Sequence, residues 1–128
     1  MSVAATVYQL GNLHGMKARV AKTLPQRKRW VKKAAANFQE SLELRRGVLA
    51  RSGPPSSAQS LVTLSSMTMS MASLGSCHEA LGEKDAALKC YEEQLAALRV
   101  VYADNLGHPA VRECLTVIIR LKKGERKA

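Results

Sequence analysis

Apolar residues recur along this chain at intervals of three and four positions, the spacing typical of helices that bury one face. Four clusters of helix-breaking residues interrupt the pattern: Thr23-Leu-Pro25, Arg51-Ser-Gly-Pro-Pro-Ser-Ser57, the turn at Gly82, and Asn105-Leu-Gly-His-Pro109. The pattern therefore predicts an all-α fold of about five helices. The first begins near residue 3, and the others cover about 25–50, 58–81, 85–104 and 109–123, with a stop at Gly124.

The predicted helices differ in which of their positions are apolar and in how much charge they carry. In the first, the positions at helical spacing are Val7, Leu10, either Leu13 or His14, and Val20. The third is uncharged until Glu79 and rich in Ser, Thr and Met, with one stripe of larger apolar side chains. A helix of this length without charges is expected to have neighbours on more than one side.

The chain contains an internal repeat. Residues 10–14, Leu-Gly-Asn-Leu-His, match residues 74–78, Leu-Gly-Ser-Cys-His. Each copy is followed by a helix with a small residue four positions before an aromatic one, Ala34 before Phe38 and Ala87 before Tyr91. We expect the glycine and the small residue to let two antiparallel helices approach closely, while the aromatic ring fills the gap to the next pair.

This repeat resembles the tetratricopeptide repeat, and residues 74–111 resemble its extended, kinesin light chain-like variant. The resemblance implies a short solenoid of antiparallel helix pairs forming one domain over residues 1–128. Repeat one would cover about 3–50, repeat two about 58–104, and a capping helix about 109–123. Repeat one carries a basic insertion, residues 17–33, and is about eleven residues longer than repeat two between its two motifs.

Tetratricopeptide proteins bind peptides along the face formed by the first helix of each pair, so the resemblance implies a protein-binding scaffold. One subgroup clamps C-terminal carboxylates with Lys, Asn and Arg. Here only Asn12 resembles that clamp, and the second copy has Met69, Ala72 and Ser76 instead, so such a clamp is not supported. Candidate groove or interface residues are Asn12, Met67, Met69 and Met71, although methionines at this spacing more commonly fill a core.

The charge of +10 is concentrated at the two ends of the sequence. Residues 1–39 contain eight bases and no acid, the central part is close to balanced, and residues 119–128 contain five bases and one acid. This asymmetry indicates an acidic partner, either an acidic protein surface or the phosphates of rRNA, unless the bases form only a solvated face. The candidate patch consists of Arg27, Lys28, Arg29, Lys32, Lys33, Arg120, Lys122 and Lys123, with Trp30 either stacking on RNA or packing within the helix pair.

No arrangement of residues in the sequence points to catalysis. The three histidines are far apart, the motifs of phosphate-binding loops and zinc proteases are absent, and Cys77, Cys90 and Cys114 have no zinc-ligand spacing. We therefore expect no enzyme activity, cofactor, metal, small-molecule substrate or transmembrane segment. Three unpaired cysteines suit an intracellular, reducing compartment, and a cytoplasmic, cytoskeletal or mitochondrial location stays open.

These features predict a non-catalytic interaction scaffold, a structural subunit of a larger assembly that docks through its basic ends onto other protein subunits. The alternative is an RNA-contacting subunit of a ribosomal particle, including an organellar one. Two and a half repeats are fewer than the three that normally make a solenoid stable, so we expect the chain to complete its burial against a partner.

Overall fold

The computed structural model describes residues 2–54 and 57–126, and within these ranges the regular structure is entirely helical. The five helices are α1 (Val3–Val20), α2 (Leu24–Ala50), α3 (Ala58–Ala80), α4 (Lys84–Val101) and α5 (Pro109–Arg126). The predicted all-α fold of helix pairs is confirmed.

Hydroxyl side chains cap the N-termini of the first three helices. Ser2, Thr23 and Ser57 each accept a hydrogen bond from the backbone N–H three residues later, at 3.1, 3.3 and 3.2 Å. These bonds satisfy amide groups that have no partner inside the helix. Ser57 is thus the N-cap of the third helix.

Two of the predicted helix ends are wrong. Helix α4 ends at Val101, three residues early, because Ala103 and Asp104 adopt positive φ angles of 49° and 60°, which a right-handed helix cannot accommodate. Helix α5 continues through Gly124 to Arg126, so this glycine does not act as a stop.

Each helix packs against the next one along the chain, and successive helices run in opposite directions. Helices α1, α2 and α3, with Ala97 of α4, enclose one cluster of buried residues around Phe38 and Leu42. Helices α4 and α5 enclose a second around Tyr91 and Val111. Helix α3 contacts both α2 and α4, which confirms the prediction that this uncharged helix has neighbours on more than one side.

In each of the first two helix pairs, a glycine of one helix contacts an aromatic ring of the other. A Cβ atom added to Gly11 would lie 2.6 Å from the ring of Phe38, and one added to Gly75 would lie 2.9 Å from the ring of Tyr91. Ala34 and Ala87, one turn before the two rings, are 1% and 0% exposed. The two halves of the sequence repeat thus form equivalent contacts, and each aromatic ring covers the glycine of its own pair.

Of the apolar residues predicted to line the first helix, only Val7 belongs to the buried face of α1. Leu10, Leu13 and Val20 are 43%, 46% and 78% exposed, whereas the buried residues of α1 are Ala4, Val7, Gly11 and Ala18. The reason is the short distance between α1 and α2. Small residues leave room for Phe38, and the larger aliphatic side chains are consequently directed outward.

The basic insertion lengthens two helices instead of forming a loop. The Tyr8 hydroxyl lies 3.3 Å from that of Ser73, which fixes how α1 and α3 are aligned side by side. From this contact α1 continues four or five residues farther than α3, or about 7 Å at the rise of an α-helix. The tip of the α1–α2 hairpin therefore projects beyond the turn between α3 and α4.

We predict that Gly11→Ala lowers the free energy of unfolding by about 1–3 kcal/mol, because the new methyl group overlaps the Phe38 ring. Gly15→Ala is the matched control, since nothing lies within 4 Å of a Cβ at that position. It should raise stability by up to about 1 kcal/mol through helix propensity. Urea denaturation of both variants measures the difference, and equal effects at the two sites would contradict the close contact.

Candidate functional site: a groove and a basic end

A groove of about 760 Å³ lies between α1 and α3, above α2. It forms because α1 and α3 both pack on α2 while making few contacts with each other. Its lining residues are Gly11, Asn12, Gly15, Met16, Ala18, Arg19, Arg27, Val31, Ala34, Phe38, Ser73, Ser76, Cys77 and Ala80.

The groove combines three kinds of surface. Apolar residues of α2, among them Val31 and Phe38, lie at its base. Asn12 of α1 and Ser76 of α3 contribute an amide and a hydroxyl from opposite sides. Arg19 and Arg27 lie toward the α1–α2 turn and bring positive charge there. Such a site suits a chain segment with apolar side chains and a nearby acidic group.

Among these residues, Asn12 is a predicted groove residue, and the structure places it in the groove. Ser73 and Ser76 are lining residues that the sequence argument missed. The sequence repeat could have identified Ser76 as a groove residue. It occupies in residues 74–78 the position that Asn12 occupies in residues 10–14. Arg27, predicted as part of the basic patch, also lines the groove.

The predicted methionine interface needs correction. Met67 and Met71 are 3% and 5% exposed and belong to the core that α3 shares with α2. Met69 is 57% exposed and points away from that core. Neighbouring helices bury the face of α3 that carries Met67 and Met71. Of the three methionines, only Met69 is therefore exposed to a partner.

The fold collects most of the positive charge at one end of the helix array. Because successive helices alternate in direction, this end contains the C-termini of α1, α3 and α5 and the N-termini of α2 and α4. We call it the basic end. Among residues 2–54 and 57–124, its bases are Lys17, Arg19, Lys22, Arg27, Lys28, Arg29, Lys32, Lys33, Lys84, Arg120, Lys122 and Lys123, and its acids are Glu79, Glu83 and Asp85.

All eight residues of the predicted patch therefore lie at the basic end, but not all are alike. Those of α2 are exposed, as are Lys122 and Lys123. Arg120 is exposed too, but its guanidinium donates a hydrogen bond to Glu79 at 2.7 Å, so its charge is partly neutralised within the chain.

Trp30 packs between the two helices of the first pair. Its ring stacks on His14 with centroids 5.5 Å apart, and the ammonium groups of Lys17 and Lys33 each lie 4.6 Å from its centroid. His14 in turn lies 2.6 Å from the Asn37 amide oxygen. Of the two predicted roles, these contacts favour packing, with the cations attracted to the face of the ring.

The outward face of α1 is a third surface. Leu13, Met16 and Val20 lie on the side of α1 opposite the buried Val7 and Gly11, and Met16 and Val20 are 60% and 78% exposed. Leu24, at the start of α2, is 60% exposed and adds to the same end of this surface. Contiguous exposed apolar side chains are typical of contact surfaces.

The cysteines are unsuited to nucleophilic chemistry. Burial raises the pKa of Cys77 and of Cys114 to about 11, and burial with the nearby Glu93 raises that of Cys90. At neutral pH these groups are thiols, whereas the thiolate is the reactive form. In residues 2–54 and 57–126 no three metal-ligating side chains converge. Within the same ranges, no helix is long and apolar enough to cross a membrane.

Comparison with known proteins found no matching family model, no matching curated protein and no matching solved structure.

Stability should fall as the pH rises from 9 to 11. A thiol with a raised folded-state pKa stays neutral in the folded chain, while the unfolded chain ionises near the ordinary value of 9.0. The buried thiol's contribution to the free energy of unfolding is complete below pH 9 and is lost as the pH approaches 11. At pH 10 the loss is about 1 kcal/mol for one thiol. Urea denaturation at pH 8 and at pH 10 measures this loss of stability. We expect the free energy of unfolding to fall less between these pH values in Cys77→Ala than in the unmodified chain.

Proposed function

We propose that this chain is a non-catalytic, tetratricopeptide-like interaction scaffold that holds a segment of a protein partner in the groove between α1 and α3. The groove is the observation that carries the proposal. Its volume of about 760 Å³ is within the usual range of ligand sites, and its base is apolar with polar groups on both sides.

The repeated geometry of the helix pairs supports the tetratricopeptide-like assignment. Gly11 contacts Phe38 and Gly75 contacts Tyr91 in the same way, so the two pairs are built alike. The first helices of the two pairs, α1 and α3, are neighbours along the groove, as Tyr8 and Ser73 show. In a tetratricopeptide solenoid the first helices form the peptide-binding face.

The bound segment would be partly apolar and carry acidic residues at one end. Val31 and Phe38 favour apolar side chains, while Arg19 and Arg27 favour a carboxylate near the α1–α2 turn. Asn12 and the exposed Ser76 can bond to the backbone of the segment from both sides.

Two further surfaces support a role as a structural subunit of a larger assembly. The exposed apolar face of α1 would be buried against a neighbouring subunit, and the basic end would dock onto an acidic surface. The basic end also favours the alternative function, an RNA-contacting subunit of a ribosomal particle.

Ser76→Trp should abolish capture of the groove partner, because an indole on the exposed face of α3 fills the groove. The measurement is purification of the tagged chain from its own cells at low salt, with ribonuclease present, followed by identification of the retained proteins. The expected result is a companion protein that withstands ribonuclease and is lost with Ser76→Trp.

The matched control is Val62→Trp, which places the same indole on α3 at the opposite end, where Val62 is 65% exposed. This variant should retain the companion. Circular dichroism and thermal melts should show that both variants fold. Equal retention by Ser76→Trp and Val62→Trp would refute the groove as the binding site.

A further inference from the structure

We propose that the basic end binds the phosphodiester backbone of structured RNA, and that both termini of the sequence contribute to one continuous binding surface. This inference rests on the docking role in the proposed function and names the partner for it. The lysines changed in its test do not line the groove, so the two can fail separately.

The first step is that the basic end forms one surface although its residues are about ninety positions apart in sequence. Ser76 and Ala80 line both the groove beside Arg19 and Arg27 and a second cavity of about 530 Å³ beside Lys84 and Arg120. The C-terminal turn of α3 therefore lies between the two groups of bases and connects them. Lys122 and Lys123 follow Arg120 on the exposed side of α5.

The second step is that the bases within residues 17–33 have no acidic partners. No acid precedes Glu40 in the sequence, and among the described residues none of these bases lies within 4 Å of a carboxylate. Their charge is thus available to an external anion. The contrast with the far end is clear, where Arg46 and Arg99 are paired with Glu93 and Asp104.

The third step is that the bases at the start of α2 oppose the stability of their own helix. A helix N-terminus carries partial positive charge and favours acidic side chains, yet α2 has no acid in its first turn. Arg27 lies in that turn instead, and Lys28 and Arg29 follow in the next one. Such an arrangement is stabilised when an external anion binds and offsets the charge of these bases.

The composition of the basic end favours nucleic acid over an acidic protein. Eight of its twelve bases are lysines, and lysine is depleted at protein–protein interfaces. Lysine and arginine side chains that neutralise phosphates supply most of the affinity for a nucleic acid backbone. Exposed lysines spread over several helix ends match a line of phosphates.

The shape of this end favours RNA over duplex DNA. In the part of the chain that the structure describes, the helices present their ends at this surface, and the part that projects is the tip of a two-helix hairpin. No described helix lies lengthwise there to enter a DNA major groove. Double-stranded RNA is recognised mainly through its shape and its backbone, which helix ends and lysines can contact.

The test measures binding of the full chain to a fluorescent RNA duplex of 20 base pairs at several salt concentrations. Three double variants each remove two positive charges: Lys28→Gln with Lys32→Gln on α2, Lys122→Gln with Lys123→Gln on α5, and Arg51→Gln with Arg112→Gln at the far end. All six residues are exposed. Circular dichroism verifies folding of each variant.

We expect the α2 and the α5 variants each to weaken RNA binding about fivefold or more near 100 mM salt. Each should also reduce the slope of log affinity against log salt by about 2, while the far-end variant leaves both unchanged. A DNA duplex of equal length should bind more weakly, and polyglutamate should not compete.

Three outcomes would overturn the proposal. Equal effects of all three variants would show that net charge alone drives binding. An effect of the α2 variant without one of the α5 variant would show that the surface is not continuous. Tighter binding to polyglutamate or to DNA than to RNA would assign the basic end to an acidic protein or to DNA. The α2 variant changes no residue that lines the groove and should still retain the groove companion, so the two proposals can be told apart.

Discussion

The contact between a glycine on one helix and an aromatic ring on the next is the constraint on which this structure depends. Gly11 against Phe38 and Gly75 against Tyr91 bring two helix pairs to the same short separation. Because both pairs have the same internal geometry, they can stack in the same orientation along the chain. The alignment of α1 beside α3, the groove between them and the common end of the bases all follow from that stacking.

The same constraint explains why hydrophobicity alone does not identify the buried face of α1. Close packing against α2 selects small residues, so Ala4, Gly11 and Ala18 face inward while Leu13 and Val20 face outward. Large aliphatic side chains on the inner face would separate the helices and expose Phe38. The exposed apolar side of α1 is therefore a consequence of how the pair packs, and it leaves a surface that a further subunit can cover.

The groove and the basic end are adjacent but chemically different. The groove has an apolar base formed by α2, whereas the basic end consists of charged side chains on helix ends. Arg19 and Arg27 belong to both. One partner held in the groove and another on the basic end would thus be close together, as suits a scaffold that joins components of an assembly.

The sequence by itself determined the helical class, the number of helices, most of their starts and the repeat, since these depend on local spacing and on capping residues such as Ser57. It also identified Asn12 and the bases, because residue types and charges are visible without a fold. The tertiary structure decided the rest. It buried Met67 and Met71, it set Ser76 opposite Asn12 across a groove, and it brought residues 17–33 and 120–123 to one end. These outcomes depend on helix separation and on the alternating direction of five helices, which arise only when segments distant in sequence pack together.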